Sequence, residues 1–460
     1  MQNNITNLKV RLLSKGLLPY LLLGIFLMSC NQSTEDVKDA EPKGMGELHH
    51  HSIPPWFEKA RFGVFIHFAV SGHFHSYAQE KGLTSHSSLT SHEFYEGAAK
   101  LFTLEPAHVE MWAEKIKNWG AGYAVLTASH HPGFSLWNSE VTPRTLSKMG
   151  TSKFDLVEVW CDALRENDIK VGIYFNHEDK GSAAMWEARN DTTINSLLES
   201  KSWNDYLTER DQRVKELVSN YGKIDLLWFD ADWIAPDAKT LGTNNLVEII
   251  VDNQPDIVLN NRLRSRHHGH YGTPEKYVPL LPREGAWEVC DNLRNNGLWG
   301  WAENDPRYLD YKTPEDVIYT LVDVITLGGN YLLNIGPKPD GTIPEEDLKI
   351  MDAVGQFVND NAEAIFETQM GLPRYMYGEG STRRGTTLYL FSSRTNGYLT
   401  IKGLQNEVKR VIRIKDGKEI PVKRVGGRPG HGRAPYIRIE IEPVSTQVPI
   451  VYKVELEGDE

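Results

Sequence analysis

Between residues 61 and 335, short apolar runs alternate with stretches in which apolar positions recur every three or four residues. Runs too short for helices, close behind Gly or Asn stops, predict parallel strands buried on both faces, and the periodic stretches predict amphipathic helices. The spacing places strands at 61–70, 121–128, 169–176, 223–230, 255–261, 286–290 and 330–335. It places helices at 106–119, 155–167, 202–220, 244–252, 314–327 and 344–366. Alternating strand and helix is the pattern of a (β/α)₈-like TIM barrel, an α/β fold. Seven strands are visible, and the eighth is expected within the irregular stretch 297–311. Past residue 367 the period changes to two, with Asn-Gly, Asp-Gly and Gly-Gly turns between short β-branched runs. That change predicts a C-terminal antiparallel β-sandwich. The expected organisation is a barrel domain at 52–368 and a sandwich domain at 369–460.

The first 51 residues stand apart from this pattern. Lys9, Arg11 and Lys15 precede an apolar stretch at 16–28 that ends in Leu27-Met-Ser-Cys30. This reads as a lipoprotein signal peptide at 1–30 with Cys30 as the lipidated residue, followed by a polar tether at 31–51. The apolar stretch is short for a membrane span, so the membrane is met only through the lipid anchor. The expected location is the bacterial cell envelope, periplasmic or anchored to the outer membrane. A formal charge of −12 argues against a nucleic-acid partner. Apart from Cys30 there are only Cys161 and Cys290, both in apolar contexts, which predicts buried free thiols and no disulfide framework.

Chemistry concentrates where the predicted strands end. Leu226-Leu-Trp-Phe-Asp230 runs four apolar residues into a carboxylate, with Asp232 and Trp233 beyond it. His67, the pair His130 and His131, Tyr174, and Asn260 with Asn261 and Arg262 each follow another apolar run; Glu288 lies in Trp287-Glu-Val-Cys290. A barrel enzyme gathers its active site from loops at the C-terminal ends of its strands, so polar groups at this many strand ends imply one shared pocket. Trp228, Phe229 and Trp233 offer flat apolar faces of the kind sugars stack against.

The motifs Phe62-Gly-Val-Phe-Ile-His67, Leu126-Thr-Ala-Ser-His-His-Pro-Gly-Phe134, Gly172-Ile-Tyr174, Leu227-Trp-Phe-Asp230, Asn261-Arg262, Trp287-Glu288 and Gly328-Gly-Asn-Tyr-Leu-Leu-Asn-Ile-Gly-Pro337 resemble, in order, those of glycoside hydrolase family 29, the α-L-fucosidases. The resemblance spans about 56–368. It implies retaining release of terminal α-L-fucose from a fucosylated oligosaccharide or glycoconjugate, through a covalent glycosyl-enzyme and without a cofactor or metal. Asp230 matches the family nucleophile. Glu288 is the expected acid/base, with Glu275 in Thr273-Pro-Glu275 as its rival. His67, Glu93, His130, His131 and Arg262 match residues that bond the sugar hydroxyls; Phe65, Tyr174 and Trp228 match the wall that accepts the methyl group. A retaining enzyme holds its two carboxyls about 5–5.5 Å apart, one attacking and one donating a proton. The donor must begin protonated, and Trp287 and a nearby Asp230 would raise Glu288 toward that state.

The chain departs from the family at several points. His67-Phe68-Ala69 replaces His-Trp-Gly, Ser129-His-His-Pro132 replaces Lys-His-His-Asp, and Glu93-Phe-Tyr95 replaces Glu-Trp-Tyr. These changes are expected at the rim of the sugar site and leave open an α-L-galactoside as substrate, or a glycan-binding lipoprotein without catalysis. A metal-dependent hydrolase using His73, His75, His130 and His131 is a further alternative, one that a chelator would separate from the carboxylate mechanism.

Overall fold

The computed structural model describes residues 53–68, 92–191, 196–265, 267–295, 297–302, 308–426 and 435–458. The expected signal peptide with Cys30, the expected tether, His73, His75 and the side chain of Glu93 lie outside the described residues. Eight parallel strands form one sheet: β1 Phe62–Ile66, β2 Tyr123–Ser129, β3 Lys170–Asn176, β4 Leu226–Asp230, β5 Val258–Leu259, β6 Tyr271–Gly272, β7 Ala286–Asn292 and β8 Asn330–Ile335. Their order is β5-β4-β3-β2-β1-β8-β7-β6, and a parallel bridge from Asn260 to Tyr271 joins the two ends of the sheet.

The eighth strand is therefore not in 297–311, where the sequence reading placed it. It is the two-residue β6, inside a polar stretch that offers no apolar run to detect. The connections after β5 and β6 carry no helix among the described residues, while the other flanks are covered. The helix Pro106–Asn118 shows how: proline at its start fixes φ, and Val109, Trp112, Ala113 and Ile116 are buried at helical spacing.

Alternation along the strands sorts side chains into two compartments. Phe65, Tyr123, Tyr174, Trp228, Tyr271 and Cys290 fill the barrel interior, and the helix Pro55–Ala60 pushes Phe57 into its N-terminal end, with its ring 4.4 Å from that of Tyr271. Phe62, Leu126, Phe229, Trp287 and Leu333 point outward under the helices. The interior thus has an aromatic base and, among the described residues, a pocket at the C-terminal ends of the strands.

Beyond the helix Glu345–Asp360 come two antiparallel sheets, one of six strands and one of three, around a core of their own that includes Leu390, Ile401, Ile439 and Val454. The expected helix 344–366 breaks at Asn361 and resumes as Ala362–Ile365. Two strands without an apolar signature, Gln369–Met370 and Ser381–Arg384, extend the larger sheet. Tyr389, Phe391 and Val451 pack into the barrel-side core, and Lys453 pairs with Glu363 at 2.8 Å. Cys161 and Cys290 are free and buried.

Candidate active site

The open end of the barrel holds a pocket of about 160 Å³ with Asp230, Arg262 and Glu275 on one side and Phe65, Tyr174 and Trp228 among its walls. Asp230 is the last residue of β4, and Ala231 after it takes a left-handed φ of 59°. That conformation is unfavourable for a residue with a Cβ. It turns the chain at once, so the aspartate ends the strand at the pocket. Asp230 Oδ2 accepts from the Tyr174 hydroxyl at 3.0 Å, and Oδ1 accepts from Arg262 Nη1 at 2.5 Å.

Arg262 also donates from Nη2 to Glu275 Oε2 at 2.9 Å. One planar guanidinium therefore spans both carboxylates, and their bonded oxygens can be no more than roughly 8 Å apart. The guanidinium lies 4.5 Å over the Trp228 ring. Burial would lower its pKa, but Asp230 and Glu275 outweigh burial and keep it charged. Glu275 reaches this place because Pro274 and Lys276 bond to β7, pairing Glu275 beside Cys290.

Glu288 is not in the pocket, contrary to the expectation for an acid/base. It is paired with Asn330, the first residue of β8, and is fully buried. Along β7 the inward positions are Glu288, Cys290 and Asn292, and only Cys290 of these lines the pocket. Two residues along a strand span roughly 7 Å, so Glu288 sits a full layer deeper. Its oxygens accept from the Tyr123 hydroxyl at 2.5 Å and from Trp228 Nε1 at 2.9 Å. Burial pushes its pKa up to about 7 against the opposing hydrogen bonds of Tyr123 and Trp228. That shift is in the direction anticipated for an acid, but the fully buried carboxyl has no access to a substrate.

The histidines divide by partner. His67 Nδ1 lies 2.5 Å from Asn334 Oδ1, while Asn334 Nδ2 donates to the Trp299 carbonyl at 2.7 Å. The amide is thereby oriented, and His67 must carry its proton on Nδ1, leaving Nε2 as an acceptor. Burial lowers the His67 pKa to about 3 and keeps the ring neutral. His130 stacks on Tyr174 with centroids 5.4 Å apart, and burial, reinforced by His131 and His67, also lowers its pKa well below the usual value. His131 Nδ1 pairs with Glu178 at 2.7 Å. Burial alone would raise Glu178, but His131, Lys180 and Arg189 hold it lower. Trp233, half exposed, stands at the pocket edge 6.3 Å from His131.

The turn carrying both histidines is held from behind by groups that the sequence reading missed. Asp179, buried, accepts two bonds from Arg144 at 2.8 Å and one from Arg213 at 2.9 Å. Arg213 continues to Ser129, Ser135 and the Gly133 carbonyl. Gly133 has φ +71°, and a Cβ there would lie 2.0 Å from Asp179 Oδ1. Trp299 and Asn334 were also missed as site residues; Trp299 stacks on His67 with centroids 5.0 Å apart.

Other expectations need correction. Asn260 exchanges both amide groups with the Phe229 backbone and braces β4 from β5. Phe68 and Ser129, two of the departures expected at the rim, lie behind the pocket: Phe68 packs on Phe102 and Trp112, and Ser129 is bound by Arg213. Among the described residues, no three His, Cys, Asp or Glu side chains converge as metal ligands.

A carboxylate pair spanned by one arginine, above aromatic walls at the mouth of a (β/α)₈ barrel, has the equipment of a glycoside hydrolase. The family model described as alpha-L-fucosidase matches residues 28–363. Human tissue alpha-L-fucosidase is 30% identical over 375 residues, covering 76% of this chain and 78% of that protein. The solved alpha-L-fucosidase isoenzyme 1 from Paenibacillus thiaminolyticus superposes with a TM-score of 0.73 at 28% identity, covering 88% of this chain and 98% of that one. A Bacteroides thetaiotaomicron alpha-L-fucosidase, trapped as a covalent intermediate with 2-fluoro-fucosyl fluoride, shares the fold at 21% identity, with a TM-score of 0.74 and coverage of 88% and 95%. The chain belongs to the α-L-fucosidase family of glycoside hydrolases.

Proposed function

We propose that this protein is a retaining, exo-acting α-L-fucosidase that removes terminal α-L-fucose from fucosylated oligosaccharides or glycoconjugates, with Asp230 as nucleophile and Glu275 as acid/base. The observation that carries the assignment is the Arg262 guanidinium donating to Asp230 at 2.5 Å and to Glu275 at 2.9 Å. In the first step Asp230 attacks the anomeric carbon, the glycosidic C–O bond breaks and Glu275 gives its proton to the departing oxygen. In the second, water attacks the same carbon, Glu275 takes its proton and the Asp230 ester bond breaks. The sugar leaves with its configuration retained. His67, with Nε2 free to accept, and His130 and His131 meet the hydroxyls, while Phe65, Tyr174 and Trp228 leave a polar C6 group nothing to bond and favour a methyl.

The test uses an aryl α-L-fucoside, with the product anomer followed by NMR. Asp230→Ala should be inactive, and Glu275→Gln should be rescued by azide with formation of an α-fucosyl azide, the configuration being retained. An active Asp230→Ala would overturn the assignment, and inactivity of wild type on every fucoside would favour a glycan-binding protein. Including an α-L-galactoside decides between the two sugars, and the apolar wall predicts preference for fucose.

The sequence around Cys30 supports attachment to the bacterial cell envelope through a lipidated cysteine. Labelling with palmitate that is lost in Cys30→Ser, together with release of that variant from membranes, is the expected result.

A further inference from the structure

We propose that Glu288 is a positioning residue: from the layer beneath the pocket it fixes the plane of Trp228, and through that ring the Arg262 guanidinium that spans Asp230 and Glu275. This rests on the assignment of those two carboxylates above.

Glu288 Oε1 is the acceptor of the Trp228 indole N–H at 2.9 Å, and Oε2 takes the Tyr123 hydroxyl at 2.5 Å. The barrel-interior core to which its partners Trp228 and Tyr123 belong is apolar and rich in aromatic rings, Tyr271 and Phe57 among them. A carboxyl in such surroundings is costly, and so is an indole N–H left there without an acceptor. The fold makes room for the cluster, because a Cβ on Gly63 would lie 2.4 Å from Tyr123 Cζ. With its edge tied down, Trp228 presents one face to Arg262 at 4.5 Å and stacks at 22° against Tyr174, whose hydroxyl bonds Asp230. The chain of contact runs from Glu288 through one indole to both reacting carboxylates. No step of it requires Glu288 to exchange a proton with substrate.

Glutamine can accept from Trp228 through its carbonyl oxygen and donate to the Tyr123 oxygen, so it can preserve the arrangement; leucine cannot. We would measure kcat and KM of Glu288→Gln, Glu288→Leu and Glu275→Gln on aryl α-L-fucosides with good and poor leaving groups, with and without azide. Glu288→Gln should stay within about ten-fold of wild type on both, with no azide rescue, whereas removal of a general acid costs about 10²–10⁴-fold, most on the poor leaving group. Glu288→Leu should lose about 30-fold or more in kcat, equally for both leaving groups, and lose no more in a Trp228→Phe background than Trp228→Phe loses alone. Loss beyond ten-fold in Glu288→Gln, azide rescue of that variant, or a wild-type Glu288→Leu would each overturn the proposal. Should Glu288→Leu not fold, the Glu288→Gln result decides by itself. Failure of azide to rescue Glu275→Gln would instead count against the acid/base assignment, so the two ideas fail separately.

Discussion

Asn334 Oδ1 accepts the Nδ1 proton of His67 at 2.5 Å, and this bond decides which nitrogen of the histidine is left to meet a sugar hydroxyl. With the ring buried and its pKa lowered to about 3, wild type keeps a neutral His67 across the working range. Asn334→Asp would place a carboxylate against Nδ1 and favour the imidazolium, whose Nε2 donates and no longer accepts. The acid limb of kcat/KM should therefore move to higher pH by one unit or more (about 1.4 kcal/mol per unit). A pH–rate profile of the variant unchanged from wild type would refute this role.

Arg262→Lys tests the fork. A lysine is a point charge on a flexible stem and cannot donate two parallel bonds to two carboxylates. The expected loss is about 10²-fold or more in kcat, with a smaller change in KM, because the spacing of the reacting groups suffers more than binding does. Steady-state kinetics on an aryl fucoside reads both parameters.

Gly133→Ala should disable the histidine turn without touching any group in the pocket. The positive φ disfavours alanine, and its Cβ would displace Asp179 from Arg144 and Arg213. We expect destabilisation of about 2–4 kcal/mol in denaturant unfolding, together with a raised KM.

Glu288 predicts a pH dependence of stability. Its folded pKa is about 7 against an ordinary 4.5. Between those values the folded state binds more protons than the unfolded one, so this group's stabilisation is complete below about pH 4.5 and is lost as pH rises through 7, a change of about 3 kcal/mol. His67 contributes the opposite trend, losing stability as pH falls from 6.5 toward 3. The difference between Glu288→Gln and wild type isolates the first term. The variant should gain on wild type from pH 5 to pH 8 in chemical denaturation, and parallel curves would contradict the folded pKa.

The depth of Glu288 marks where reading the sequence ends. Period-two alternation says which face of a strand a residue occupies, and Glu288 does face the barrel interior, where it meets Tyr123 and Trp228. Alternation does not say which layer, because that depends on where neighbouring strands begin, here the pairing of Glu288 with Asn330. Asp230 was legible because four apolar residues run into it and end the strand there. Glu275 was readable only as a rival, since it follows a proline and a two-residue strand in a polar stretch. Asn334 lay within a quoted motif without a role to single it out, and Asp179 gave no signal. Their roles lie in hydrogen bonds to residues 267 and 34 positions away, namely His67 and Arg213, and local pattern carries no information about them. The barrel and sandwich classes were visible because each is a matter of period.

The seam of the barrel has a further consequence. Among the described residues, Asn260 and Tyr271 make the one β-bridge across it, beside a bond from His270 N–H to the Leu259 carbonyl at 2.8 Å, and Glu275 rides on the segment just past that bridge. A chain held so sparingly can gain or lose residues on either side without shifting the register of any neighbouring ladder. Its glutamate is kept in place by the Arg262 fork and the bonds to β7, not by its count of residues from the nucleophile. In a barrel closed this way, the interval between the two carboxylates along the polypeptide can change while the fork holds their separation in space, and the partner of a nucleophile is better sought by what it touches than by where it is numbered.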